Sequence, residues 1–117
     1  MMNFQRILFP VDFSDRCAHM ARYAAGIVRK FNSELILLHC FDAYDPFGYG
    51  ALSSTIAYGA AISALWDQRG TLLADFAKDV FQGLRVQRVI EEGEPAETIS
   101  RYIRDHNIDL VAMPTHG

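Results

Sequence analysis

Two positions combine a residue type and a setting that could do chemistry. Asp12 follows directly on the apolar run Ile7–Val11, and Gly117 stands a few residues beyond a second apolar run, Leu110–Met113. A carboxylate just past a buried strand can accept a hydroxyl from a sugar, and a glycine lets backbone approach a phosphate closely. Asp12 could equally be a helix cap or a turn residue, so its type alone leaves both roles open. The histidines, His19, His39, His106 and His116, share no metal-ligand spacing and have no carboxylate cluster beside them, so they predict neither a metal site nor a catalytic pair. His116 keeps one role open, as a phosphate neighbour or a hydrogen bond within its turn. Ser14 and Ser33 lack the Gly-x-Ser-x-Gly frame of a hydrolase nucleophile. Cys17 and Cys40 form no C-x-x-C pair and sit in apolar stretches, which predicts buried free thiols.

Strands must carry these residues to one place. Apolar runs predict strands near residues 6–12, 34–41 and 108–113, and a more polar one near 85–91 that reads as a sheet edge. Helical spacing predicts helices near 14–31, 60–81 and 95–106. In the first, Cys17, Ala21, Ala24, Val28 and Phe31 align on one face, Ser14 caps the start, and Asn32 can end it in the left-handed conformation. In the second the stripe is Ile62, Leu65, Arg69, Leu72, Phe76 and Val80, with Gly70 as a tolerated flaw. The third opens at Gly93-Glu94-Pro95, with Ala96, Ile99 and Ile103 as its buried stripe and Asn107 as its stop. Between Asp42 and about Tyr58, residues rich in Gly, Ser and aromatic groups show no period and predict a long surface loop, more mobile than the sheet. Its Tyr44, Phe47, Tyr49 and Tyr58 could cover a base or meet a partner, or simply pack the loop.

The β-α-β-α-β-α-β order predicts a parallel sheet covered on both faces. Ligands in such a sheet collect beyond the carboxyl ends of its strands, here Asp12-Phe13, Phe41-Asp42, Glu91-Glu92-Gly93 and Met113–Gly117. With 117 residues, half of them apolar, the chain is expected to form a single domain, residues 1–117. A net charge of -3 argues against a broad nucleic-acid footprint, while a few backbone amides could still hold a local anion. No apolar run approaches the roughly 20 residues of a membrane helix, and the opening residues lack a secretory pattern, so a cytoplasmic place without membrane attachment is expected. A fourth buried strand with nothing after it suggests that the natural chain continues.

Four segments carry a resemblance. Arg6–Ser14 (RILFPVDFS), Leu38-His39-Cys40, Gly93–Ile99 (GEPAETI) and Asp109–Gly117 (DLVAMPTHG) together resemble the universal stress protein (UspA-like) family, in order and over the whole chain. That resemblance implies a Rossmann-like three-layer α/β sandwich, of the adenine nucleotide alpha hydrolase-like kind, with strand order 3-2-1-4-5. These residues would supply all but the fifth strand and its helix. It also implies ATP or a related adenine nucleotide as a regulatory signal rather than as fuel. Carried over, Asp12 would contact ribose, Phe41 and Met113 would flank adenine, Pro10 and Val11 would line the same cleft, and Gly117 would be the second glycine of a Gly-x-x-Gly phosphate loop. Pro114 departs from this pattern: it replaces the first glycine, removes an amide donor and fixes φ. The Gly-Ser or Gly-Thr expected nine residues after the loop lies outside these 117 residues, so ATP binding by these residues alone is expected to be weak or absent. Homodimers joined through the fifth strand are implied as well, and no catalytic residue. The rival expectation is a nucleotide-free dimeric interaction module, favoured by Pro114 as Asp12 and Gly117 favour the nucleotide. An enzyme reading finds neither His-x-Gly-His nor Ser-Gly-Gly-x-Asp-Ser.

Overall fold

A computed structural model describes residues 3–42 and 55–114. In chain order the elements are β1 (Arg6–Pro10), α1 (Asp15–Phe31), β2 (Glu34–Phe41), α2 (Thr55–Asp75), β3 (Arg85–Glu92), α3 (Pro95–Asp105) and β4 (Leu110–Val111). The strands form one sheet in the order β3-β2-β1-β4, with every pairing parallel. The central pair is in register from Arg6↔Glu34 to Pro10↔Leu38. The polar strand β3 lies at an edge, as its composition predicts.

Strand alternation divides the core in two. Ile7, Phe9 and Val11 of the first strand and its extension join Leu35 and Leu37 against α1, with Leu73 and Phe81 from the α2 side. Leu8, Ile36 and Leu38 turn the other way and pack on Tyr102 of α3. The central strands are therefore apolar on both faces, which is why they read as continuous hydrophobic runs.

Helix ends follow from local chemistry. The Ser14 hydroxyl accepts the Cys17 N–H, Asn32 takes φ 51° and ψ 48°, and the Ser33 N–H reaches back to Val28 O (3.0 Å). At α3 the Glu94 carboxylate accepts from the N–H groups of Ala96 (3.1 Å) and Glu97 (2.9 Å), and Pro95 occupies the first turn, where its missing N–H costs nothing. Asn107, at φ 53°, turns the chain away after the helix.

Several boundaries differ from expectation. Helix α2 spans 55–75 rather than 60–81, so Thr55–Tyr58 are helical, while residues 43–54 of the expected loop, with Tyr44, Phe47 and Tyr49, lie outside the described residues. Small and apolar residues occupy the start of α2 without a clean stripe, which hides a helix from periodicity. Its end comes early because the chain goes into turns after Asp75, with Ala77 at φ 50°. Among its described side chains the buried one is Leu73, four positions after Arg69, whereas Leu72 is 43% exposed. On α3 the buried positions are Thr98 and Tyr102, flanked by half-buried Ile99 and Ile103, and Ala96 is exposed. Strand β1 ends at Pro10, although Val11 N–H still donates to Leu38 O (2.8 Å). Strand β4 is only Leu110–Val111, extended by amides of Asp109 and Ala112 that donate to Arg6 O and Leu8 O.

Candidate functional site

The chain steps from β1 to β2 and β3 on one side of the sheet and then returns to place β4 on the other side of β1, and this reversal of strand order leaves a crevice at the carboxyl ends of the parallel strands. A cavity of about 290 Å³ opens there. Its floor and one wall come from Pro10, Val11, Asp12 and Leu38, with Cys40 beyond them. Ser14, Arg16 and Cys17 reach it from the start of α1, Pro95 and Ile99 from α3, and Met113 and Pro114 from the segment after β4. The walls are mostly apolar, as suits a flat ring, and the polar groups are few and concentrated on the β1–α1 turn.

That turn is tightly specified. Asp12 Oδ1 accepts the Ser14 N–H (2.9 Å), and Phe13 between them takes φ 63°, a left-handed conformation that a bulky side chain seldom adopts. The Cys17 thiol and then the Ser14 hydroxyl hydrogen-bond to the Asp12 carboxylate and lower its pKa from 3.8 to about 2, against a smaller opposing effect of burial. The Cys17 sulfur also lies 3.7 Å from Pro10 O. An exposed carboxylate that remains ionised and is fixed by its own loop is a ready acceptor for hydroxyl donors.

Of the residues expected at a site, Pro10, Val11, Asp12 and Met113 converge on this cavity, with Met113 52% exposed at its rim. Phe41 does not join them. It is only 7% exposed, stands 5.1 Å edge-on from the Trp66 ring of α2, and faces away from the cavity because strand alternation gives that wall to Leu38 and Cys40. Gly117 and His116 lie outside the described residues. Ser14, Arg16, Cys17, Leu38, Cys40, Pro95 and Ile99 were not foreseen at the cavity. Strand alternation pairs Leu38 with Cys40 on one face; a charged residue in the first turn of a helix gives no such signal for Arg16.

Cys17 and Cys40 are free thiols. Burial raises both pKa values, followed by Asp12 for Cys17 and Glu91 for Cys40, the latter to about 11, so neither presents a reactive thiolate near neutrality. The N-terminus of α3 is engaged by the Glu94 carboxylate and offers little to an anion. Among the described residues no three His, Cys, Asp or Glu side chains gather to hold a metal. No described helix is long and apolar enough to cross a membrane.

A sequence profile of the universal stress protein family matches residues 3–117. The chain belongs to the universal stress protein family. Universal stress protein MJ0531 of Methanocaldococcus jannaschii is 26% identical over 97% of the chain, which spans 66% of that relative's length. Universal stress protein UspA from Lactobacillus plantarum superposes with a TM-score of 0.78 at 21% identity, covering 100% of this chain and 83% of that one. A universal stress protein in complex with cAMP superposes with a TM-score of 0.60 at 16% identity, over 94% of this chain and 71% of that one. These likenesses agree with the parallel 3-2-1-4 sheet and place the chain in the Rossmann-like class of its universal stress protein relatives.

Proposed function

We propose that this universal stress protein domain binds an adenine nucleotide, ATP or a smaller relative such as cAMP, as a regulatory ligand and does not turn it over. The observation that carries this reading is the cavity at the strand reversal, where apolar walls meet one fixed, ionised carboxylate, Asp12. In it the base would lie among Leu38, Cys40, Ile99 and Met113, beside Pro10 and Val11, and Asp12 would accept a ribose hydroxyl. Cys40 and Leu38 take the place that sequence resemblance gives to Phe41. Arg16 supplies positive charge at the cavity, and Gly117 remains the proposed second glycine of a phosphate loop. A relative in complex with cAMP supports a nucleotide as the ligand class. The reading as a binding protein rests on a cavity where, among the described residues, the thiols are pushed toward the neutral form and the one carboxylate is held ionised. Self-association as a homodimer and a cytoplasmic place belong to the same proposal.

Titration calorimetry of the chain with ATP and with cAMP tests it, with Asp12→Ala as the discriminating variant. Loss of a hydrogen bond to a charged group, worth about 1.5–3 kcal/mol, should weaken binding by roughly 10- to 150-fold. Affinity unchanged in the variant would put the site elsewhere. Heat from neither nucleotide would favour the second reading, a nucleotide-free interaction module. One residue supports that alternative: Pro114 at the cavity has no N–H to offer a phosphate.

A further inference from the structure

His39 is 3% exposed and is not among the residues lining the cavity. It sits on β2 with its ring against the β1–α1 turn. Its Nδ1 lies 2.6 Å from Val11 O, and its ring centre is 4.5 Å from that of Phe13, the residue in the left-handed conformation. On the other edge, Arg69 Nη1 of α2 comes to 3.5 Å from Nε2. A carbonyl oxygen can only accept and a guanidinium can only donate. Both neighbours therefore demand the same neutral tautomer, with hydrogen on Nδ1 and a lone pair on Nε2. Among the described residues the charged groups facing the ring are Arg69 from α2 and Asp12 from the turn, and Phe41 stacks on it along its own strand.

The preceding residue grips the same point: Val11 N–H donates to Leu38 O at 2.8 Å. Val11 is thus held through both of its peptide groups by consecutive residues of β2, and Asp12 is the next residue along. We infer that His39 is a positioning residue: by donating from Nδ1 to the Val11 carbonyl and packing on Phe13, it fixes the turn that presents the Asp12 carboxylate to the cavity. This rests on the proposal that Asp12 meets the ligand's sugar. The clamp itself can be observed without any ligand.

Three variants separate the hydrogen bond from mere packing. His39→Phe keeps a ring on Phe13 and loses the donor. His39→Asn places an amide N–H where Nδ1 stands, and His39→Gln carries the same group one methylene too far. In the wild type, long-range ¹⁵N–¹H NMR of the imidazole should report the Nδ1–H tautomer. Without ligand, the ¹³C-detected titration of Asp12 should have its midpoint near the native value of about 2, stay there in His39→Asn, and move toward the ordinary 3.8 in His39→Phe and His39→Gln. ATP affinity should fall by about tenfold in the last two and by no more than about twofold in His39→Asn. An Nε2–H tautomer, an Asp12 midpoint unmoved in His39→Phe, or a His39→Asn variant as impaired as His39→Phe would overturn the inference. If His39→Phe does not fold, the wild-type tautomer and the Asn/Gln pair decide it. Shifted Asp12 titrations with no nucleotide heat in any form would sink the nucleotide reading and leave the clamp standing.

Discussion

Gly93 joins β3 to α3 at φ 149°, and a Cβ built on it would come within 2.4 Å of Thr98 Oγ1. Gly93→Ala therefore incurs two separate costs. Holding an alanine in that backbone region costs about 1–3 kcal/mol. The overlap adds about 1–3 kcal/mol of the kind seen when a packed core is overfilled, because Thr98 is 1% exposed and has little room to retreat. A total near 2–6 kcal/mol is a large share of the stability of such a domain, about 0.05–0.15 kcal/mol per residue. At about 4 °C per kcal/mol for a chain of this length, the melting midpoint should drop by roughly 8–24 °C. Thermal melting reads the shift in midpoint, and urea denaturation followed by circular dichroism, with midpoint and slope fitted separately, reads the free energy. Adding Thr98→Ala should remove much of the overlap and none of the backbone cost, restoring about 1–3 kcal/mol after allowance for the change made by Thr98→Ala alone. Gly26→Ala is the contrast: this helical glycine has nothing within 4 Å of its Cβ and an ordinary φ, so the change should stabilise by about 0.5–1 kcal/mol. A Gly93→Ala protein within about 0.5 kcal/mol of wild type, or a double variant that recovers nothing, would refute this reasoning. The effect should also reach the cavity, since Gly93 N–H bonds Phe41 O (2.8 Å) and the helix that begins just beyond it supplies Pro95 and Ile99.

The acid limb of stability should carry the signature of Asp12. Its folded pKa lies below the unfolded value, so its contribution is complete above pH 3.8 and is lost as pH falls toward about 2; Asp12→Asn should flatten that window by a modest amount, because the group is exposed. Arg88 of β3 donates from Nε to Leu73 O and from Nη2 to Phe76 O, both 2.9 Å, and so closes the C-terminal end of α2. Arg88→Met should cost about 1–3 kcal/mol in chemical denaturation, whereas an effect under about 0.5 kcal/mol would mean that water replaces it freely.

How much of this could be read in advance depended on how local the cause was. Ser14, Asn32 and Pro95 announce helix ends through their own backbone and side-chain chemistry, and the buried runs of β1 and β2 announce parallel strands. Asp12 was legible as a cavity residue because a ligand-facing strand end follows from topology alone, whereas Pro10 and Val11 came from the family resemblance. Phe41 lies next to the lining residue Cys40 in sequence, and in a strand one residue means the opposite face. The first turn of α2 was hidden because apolar and small residues surround it without a stripe. Arg16 at the cavity and the left-handed Phe13 depend on tertiary packing. So does the bond from His39 to Val11 O, made across 28 residues.

The short pairing of β1 with β4 bears on how the cavity comes into being. Bonds between β1 and β2 close loops such as the 28 residues from Val11 to His39, whereas the Asp109 side chain meets Arg6 N–H across 103. Closing the longer loop costs about 1 kcal/mol more in chain entropy, and its ladder has only Ile7↔Leu110 and Leu8↔Val111 to offset that. The β4 side of the crevice should therefore assemble late in folding and open first in the native state. In amide exchange, Ala112, which donates to Leu8 O, should lose protection before Val11, which donates to Leu38 O. A ligand touching both Asp12 and Met113 would span this weak seam, so occupancy would be felt as a slowing of its local opening rather than as a change in the rest of the sheet.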